Sequence, residues 1–532
     1  MSLISATTAA VRNSPREIFN RYLFVCTWIW SFSGVAKGFD EGVYRKYIGV
    51  RMHPANEPLA TGNIASLVTM SVFKTRFGIG DQSESEYSNT KGWIVAIATA
   101  GAVLGCLACV SLTEKLGRRL TMQIFTLIYI AGILGQTFSS GNMTGLYLSR
   151  IISGVGIGAT TVLPPVYISE IAPRPIRGLL ILQYTCCQQL GVVFGFFFNY
   201  GITKHYSGSQ IQWQLPTALQ IAPAIMWGLE TFFTPESARF LLSRGKSTEA
   251  LKVLCDFRQL PADHPYVQDE FRAMEAQLTH ELEIVSGASI LDLAKETTQY
   301  SPSIFGYLGI QGEEGRLLAT GVYAILKFVS VMVFSVFVID FIGRRRSLLT
   351  GICLQITTLL FVGVYLKVTN GRDPGDISAD PAAKRASEAA IAAIYLHAIA
   401  WSIGWFSIPY LVSAEVFPIR IRFLCVSVLM AFHWAFYFGC SRAMPSLLAA
   451  TERYGAFIFF AVICSVSLVY VYLAMPETSG RSLESMESLF NRPWYTVHKV
   501  AYPKAEDLAA GPVVIDTNGK KEGEKASVTH MS

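Results

Sequence analysis

Long apolar runs alternate with short polar segments along this chain. The runs occupy Tyr22–Gly38, Trp93–Leu112, Leu120–Phe138, Leu146–Ile168, Leu179–Tyr200 and Trp213–Phe233. After a charged interval they resume at Leu317–Phe341, Ser347–Leu366, Ala389–Val412, Phe423–Leu447 and Ala456–Ala474. A helix needs about 20 apolar residues to cross the hydrocarbon core, and most of these runs are long enough. The pattern predicts an all-α membrane protein with eleven spans and a further short apolar piece at Tyr300–Ile310. The interval Pro235–Gln299 is mixed in charge, with helical periodicity at Ser247–Leu254 and Val267–Leu282. It reads as a helical insert between two halves.

Basic residues orient the spans. Lys115, Arg118 and Arg119 follow the second run, and Arg174 and Arg177 the fourth. Arg344, Arg345 and Arg346 follow Leu317–Phe341, and Arg420 and Arg422 follow Ala389–Val412. The excess of Lys and Arg on one side predicts that these loops, the insert and both termini face the cytoplasm. The first 20 residues are polar and show no signal-peptide core.

Composition agrees with this reading. Of 532 residues, 51% are hydrophobic and 15% charged, and the mean hydropathy is +0.38. A soluble domain carries about a quarter charged residues, so a soluble enzyme and a disordered chain are both excluded. The net charge of +6 fits basic cytoplasmic loops better than a nucleic-acid partner. Ten cysteines show no metal-binding spacing and read as thiols packed between helices. No cofactor or metal is expected. The polar tail Lys504–Ser532 reads as disordered.

The halves repeat. Glu114-Lys-Leu-Gly117-Arg118-Arg119 recurs as Asp340-Phe-Ile-Gly343-Arg344-Arg345. Glu170-x-x-Pro173-x-x-x-Arg177 recurs as Glu415-x-x-Pro418-x-x-x-Arg422, and Pro235-Glu236-Ser237 as Pro476-Glu477-Thr478. Three signatures repeating in order indicate a duplicated six-helix unit, which resembles the major facilitator fold. Further motifs are similar to the sugar porter family of that superfamily. They are Gly38-Phe-Asp40-x-Gly42, Arg150-x-x-x-Gly154-x-Gly156-x-Gly158, Tyr167-Ile-Ser-Glu170, Pro235-Glu-Ser-x-Arg239-Phe and Pro476-Glu-Thr-x-Gly480. Lys91-Gly-Trp93 and Thr298-Gln-Tyr-Ser-Pro302 look like fungal quinate-permease-like and hexose transporters. The resemblance implies a cytoplasmic N-terminus at 1–21, an N-terminal half at 22–233 and a helical linker at 234–297. A C-terminal half at 298–474 and a cytoplasmic tail at 475–532 complete the expected organisation.

Two places break the pattern. The linker and the loop Gly343–Arg346 are both assigned to the cytoplasm, so an extra crossing is needed between Gln299 and Leu317. Only Tyr300–Ile310 is available, and about 11 residues at 1.5 Å rise cover roughly 16 Å of a core about 30 Å thick. The family's seventh helix carries Gln-Gln-x-x-Gly-x-Asn just before a Tyr-Ser-Pro stretch. Here Tyr300-Ser-Pro302 is present and that motif is absent. We expect roughly 30 residues to be lost near Thr297/Thr298, by a skipped exon or a gene-model error. A chain with such a truncated seventh helix could be inactive as written. In the first helix, Val43–Gly62 interrupts a motif that runs straight on in the family. It reads as an insertion, such as a retained intron, with a genuine extracellular loop as the alternative.

Candidate chemistry follows from the resemblance and from polar residues inside apolar runs. Asp40 ends an apolar helix, where a carboxylate is costly and functional by default, and Arg150 opens the fourth span. In proton-coupled members the matching pair links protonation to substrate binding; a static ion pair is the plainer alternative. Glu41, next to Asp40, is expected to face the extracellular vestibule. Gln188 and Gln189 lie mid-span, where two amides need partners that a polyol or a neighbouring helix supplies. Gln189 matches the family's sugar-binding Gln. Pro409-Tyr410 stands where the family usually has Pro-Trp, and Trp434-Ala-Phe-Tyr437 where it has Trp-x-x-Asn. Tyr410, Trp434 and Tyr437 are therefore substrate candidates, and the lost Asn argues against a simple hexose. Trp401, Trp405 and Trp434 can equally be packing or interface anchors.

The resemblance assigns a cytoplasmic gate to Glu114, Arg118, Arg119, Glu170, Arg177, Glu236, Arg239, Asp340, Arg344, Glu415, Arg422 and Glu477. These would bridge the halves when the inside is closed. Their charges also serve topology, and Glu114 replaces the usual Asp. Asn142-Met-Thr144 is a sequon in a short outside-facing loop.

The expected function is transport of a monosaccharide or quinate-like polyhydroxy compound by alternating access, with proton symport, as a monomer in the plasma membrane. The implied partners are that small molecule, a proton and the lipid bilayer, with no nucleic acid. A facilitative or efflux carrier and a non-transporting sensor are the alternatives. No nucleophile–base set or phosphate loop suggests an enzyme.

Overall fold

The computed structural model describes residues 14–43, 71–173, 176–206, 208–283, 313–335, 339–369, 380–416, 419–452, 454–478, 497 and 502. Residues 44–62 of the expected insertion, the Tyr300–Ile310 piece and Lys504–Ser532 lie outside them. Among the described residues there is no strand. The first half contains α1 (Arg21–Val43), α2 (Ser71–Arg76), α3 (Glu84–Leu116), α4 (Arg118–Thr137), α5 (Met143–Ile171), α6 (Arg177–His205), α7 (Ile211–Leu219) and α8 (Ile221–Glu230). Then come α9 (Ala238–Ser243), α10 (Ser247–Arg258) and α11 (Pro265–Glu283). The second half contains α12 (Glu313–Val333), α13 (Ile339–Ile342), α14 (Arg344–Val368), α15 (Pro381–Trp401), α16 (Ile408–Val416), α17 (Ile419–Ala450) and α18 (Tyr454–Ala474).

Eight helices among the described residues are long and apolar enough to cross a membrane. They are Asn89–Leu116, α4, α5, Arg177–Asn199, α14, Pro381–Ser413, Phe423–Met444 and α18. Helix α1 is long enough but contains Lys37, Asp40 and Glu41. The predicted run Trp213–Phe233 forms two helices and a 3-10 turn at Thr231–Phe233 instead of one. Pro223 has no N–H to offer the preceding turn, so the helical ladder breaks near Gln220. The run Ala389–Val412 likewise contains a wide turn at Ser402–Phe406 between α15 and α16.

Helix ends follow the local sequence. Ser83 and Glu86 form a reciprocal cap on α3. Asp380 accepts the Ala382 N–H at 2.9 Å, with Pro381 opening α15. Gly117 and Gly343, at φ +88° and +90°, separate α3 from α4 and α13 from α14. A side chain at that backbone angle is strained, which explains the Gly in both copies of the repeat.

Glycines let the helices approach closely. Gly34 and Gly38 of α1 seat on the Tyr184 and Gln188 carbonyls of α6, and Gly191 of α6 seats on Val35. Gly154 and Gly158 of α5 face the carbonyls of Ala98 and Ala102 in α3, while Gly156 faces Tyr129 of α4. The Gly-x-Gly-x-Gly motif thus serves two neighbours at once, since residues four apart share a helix face and the middle one does not. Leu104, Leu127, Phe198, Val364, Val466 and Val469 are exposed on the outer surface, as a lipid-facing belt requires.

The insert α9–α11 packs around Leu242, Leu254, Val267, Phe271 and Met274. Arg258, 1% exposed, joins it to the bundle. Its guanidinium donates twice to Glu270 at 2.7 Å and once to the carbonyl of Ile171, at the end of α5, at 2.9 Å.

Candidate functional site

Helix α1 brings Lys37 and Asp40 into the bundle. The α1–α6 glycine contacts hold it against Gln188, so its next turn, with Asp40, is fixed beside the middle of α6. Asp40 is half-buried. Arg150, buried in α5, donates to Gln136 of α4 at 3.0 Å, and Gln136 donates on to Ser153 at 2.8 Å. The side chain of Glu41 lies outside the described residues.

The two halves meet around Lys37. Its ammonium donates to the Tyr410 hydroxyl at 3.3 Å and sits 5.2 Å from the Trp434 ring centre. Trp434 in turn donates its indole N–H to Thr161 of α5 at 3.3 Å. Tyr184 of α6 meets Tyr410 edge-on at 6.0 Å and donates its hydroxyl to the Thr160 carbonyl at 2.8 Å. Helices α1, α5 and α6 of the first half and α16 and α17 of the second therefore converge here. Tyr437 lies one turn from Trp434, with ring centres 5.5 Å apart. Gln188 and Gln189 are both buried in α6, and Gln188 shares its face with Tyr184. Trp401 packs elsewhere, against Phe406 and over the ammonium of Lys327 at 3.4 Å.

At the basic end the repeat is visible as geometry. The Glu236 carboxylate accepts the backbone N–H groups of Arg118 and Arg119, both at 3.1 Å. Glu477 accepts those of Arg344 and Arg345 at 2.9 and 3.1 Å. Each carboxylate caps the positive end of the helix after the glycine turn. Each of these contacts lies within its own half. Burial raises the Glu236 pKa, against the lowering by its three backbone N–H partners and Arg118. Arg118 pairs with Glu170 at 2.8 Å, also within the first half. Arg119 lies over Phe232, and the Glu114 backbone carbonyl accepts Arg244. Arg345 donates to the carbonyls of Met475 and Tyr472 at 2.6 and 2.7 Å, closing α18.

Arg177 and Arg239 are half-buried and add to the field at Glu270 of the insert. Burial pushes the Glu270 pKa up. The hydrogen bonds and charge of Arg258, then Arg177 and Arg239, outweigh it and hold the pKa below the usual range. The side chains of Asp340, Glu415 and Arg422 lie outside the described residues. Asn142 is exposed and caps α5, accepting the Gly145 N–H at 3.1 Å.

A family model described as "Sugar (and other) transporter" matches residues 58–490. The chain belongs to this transporter family. Among its relatives is a protein named probable quinate permease from Neosartorya fischeri, 29% identical over 98% of this chain and 97% of that one. The MFS-type transporter qa-x of Neurospora crassa is 29% identical over 90% of each chain. In fold, the chain is similar to the proton:xylose symporter XylE bound to 6-bromo-6-deoxy-D-glucose. That match has a TM-score of 0.70 at 20% identity and covers 88% of this chain and 99% of that one. Membrane transport, not enzymatic catalysis, is the activity of the family.

Sequence reasoning about this transporter passed over Lys37 and Lys327. Both stand inside apolar runs, and an intramembrane cation is the signal that marks them. Lys37 and Asp40 are three residues apart on one helix.

Proposed function

We propose that this chain carries a monosaccharide or quinate-like polyhydroxy compound across the membrane by alternating access, with Asp40 and Arg150 coupling a proton to the movement. The observation that carries the reading is the cluster of Lys37, Thr161, Tyr184, Tyr410 and Trp434, which is built from both halves. A ligand held there touches both halves at once, so its binding energy depends on how they are rocked together. Gln188 and Gln189 offer amide groups to hydroxyls, and Tyr410, Trp434 and Tyr437 offer faces to a ring. The basic end is the cytoplasmic side, with Arg118–Glu170, Arg177 and Arg239 in the gate. The alignment with the Neosartorya relative runs over 563 positions, more than the 532 residues of this chain, so the relative has residues without a counterpart here. That supports a missing segment, which the span-length deficit leads us to assign before Tyr300.

Uptake of labelled glucose, xylose and quinate by transporter-deficient yeast tests this reading. The chain as written and a version with the seventh helix restored are compared. Uptake of one of the three by the restored version is expected. Uptake of none by either version overturns the substrate class.

A further inference from the structure

We propose that Lys37 is a carboxylate-binding residue, which makes the cargo a polyhydroxy acid anion and not a neutral sugar. The inference rests on the transporter reading above and narrows it.

Lys37 lies deep in α1 and is 3% exposed. Its ammonium has three N–H donors, and one of them meets the Tyr410 hydroxyl at 3.3 Å. The Tyr410 and Trp434 rings, at 5.8 and 5.2 Å, supply cation–π attraction. Among the described residues, no carboxylate is within ion-pair distance of this ammonium. A phenol and two ring faces compensate only part of the cost of burying a full charge. A cation kept in a bundle interior on those terms is suited to an anion that arrives from outside.

The surroundings decide which anion. The hydroxyls of Thr161, Tyr184 and Tyr410 and the amides of Gln188 and Gln189 are neutral groups that suit sugar-like hydroxyls. One cation among them matches one carboxylate on a hydroxylated ring. A second cation in the bundle, Lys327, is held separately against Trp401 at 3.4 Å. A carboxylate seated between the Lys37 ammonium and the Tyr410 hydroxyl would be gripped by α1 and α16 together. Such a contact exists only while the halves are close, so the anion would favour the occluded arrangement. The competing explanation is structural. Asp40 lies three residues on, and the two could pair along α1 in another conformation.

The test is ligand binding to the purified full-length chain in detergent, read by calorimetry. The probes are quinate, its neutral methyl ester, and glucose. Wild-type protein should bind quinate at least about tenfold more tightly than the ester, as a charge-assisted contact predicts. In Lys37→Met the acid-to-ester ratio should fall to near one, and Lys37→Arg should restore part of it. Equal binding of acid and ester by the wild type overturns the proposal, as does an undiminished ratio in Lys37→Met. Wild-type binding of glucose but not quinate overturns the lysine assignment and leaves the carrier reading standing. Binding of none of the three, by this chain or by the version with the seventh helix restored, overturns both. If Lys37→Met does not fold, the same acid-to-ester ratio is read in Lys37→Gln, and an undiminished ratio there overturns the proposal.

Discussion

The Glu477 carboxylate accepts the backbone N–H of Arg344 at 2.9 Å. Glu236 does the same for Arg118 at 3.1 Å in the other half. A helix start has unpaired N–H groups and a partial positive charge, and a buried carboxylate satisfies both. The repeated Pro-Glu-Ser and Pro-Glu-Thr signatures are thus partners of the repeated Gly-Arg-Arg turns.

Removing either cap should therefore destabilise its half. Glu477→Ala is expected to cost about 1–3 kcal/mol, since it leaves two buried N–H groups without their partner. Glu477→Gln should cost less. Melting temperatures of the detergent-purified variants, followed by size-exclusion fluorescence, check this. An unchanged Glu477→Ala melt would refute the capping role.

Close packing of α1 on α6 should be intolerant of a single methyl group. A Cβ at Gly38 would lie 1.8 Å from the Gln188 carbonyl oxygen, where backbone cannot yield. Gly38→Ala should cost about 3 kcal/mol or more and sharply reduce folded protein. At Gly439 a Cβ meets nothing within 4 Å, so Gly439→Ala should stay within about 0.5 kcal/mol of wild type. Yield and melting temperature of the two variants, compared side by side, provide the measurement.

Docking of the insert should be lost in acid. The folded-state pKa of Glu270 lies below its ordinary 4.5 because Arg258, Arg177 and Arg239 favour its ionised form. A lowered pKa means the unfolded or undocked chain binds the proton more readily. The stabilisation is therefore complete above pH 4.5 and falls away as pH drops through the lowered folded value. Glu270→Gln should lose about 3 kcal/mol at neutral pH, the cost of stranding buried Arg258. It should also lose this acid dependence. Protease protection of the insert across pH reports both effects.

Proton coupling makes a separate demand. If Asp40 carries the proton, an uncoupler should abolish concentrative uptake by the version with the seventh helix restored. Asp40→Asn should leave only downhill exchange. Uptake that is indifferent to both would remove the proton from the mechanism.

Much of this protein was legible in the amino-acid order alone. A crossing requires an apolar run whoever its neighbours are, so the eight spans among the described residues coincide with apolar runs read from the sequence. The duplicated Gly117-Arg118-Arg119 and Gly343-Arg344-Arg345 turns also stood out. Local hydrogen bonding also sets helix ends, as Ser83 does for α3 and Asp380 for α15.

Tertiary structure decided which side chains meet. Spacing along one helix says nothing about the rotation of the next, and residues hundreds of positions apart share no local signal. The backbone partners of Glu236 and Glu477, Arg118 and Arg344, lie 118 and 133 positions away and are therefore visible only in the fold. In the sequence Lys37 is only a basic residue within an apolar run; α16 and α17 place Tyr410 and Trp434 around it. The sequence by itself determined a duplicated bundle of membrane-spanning helices. Only its packing, set by where glycines permit close approach and where buried charges find partners, determined that a lysine stands at the junction of the halves.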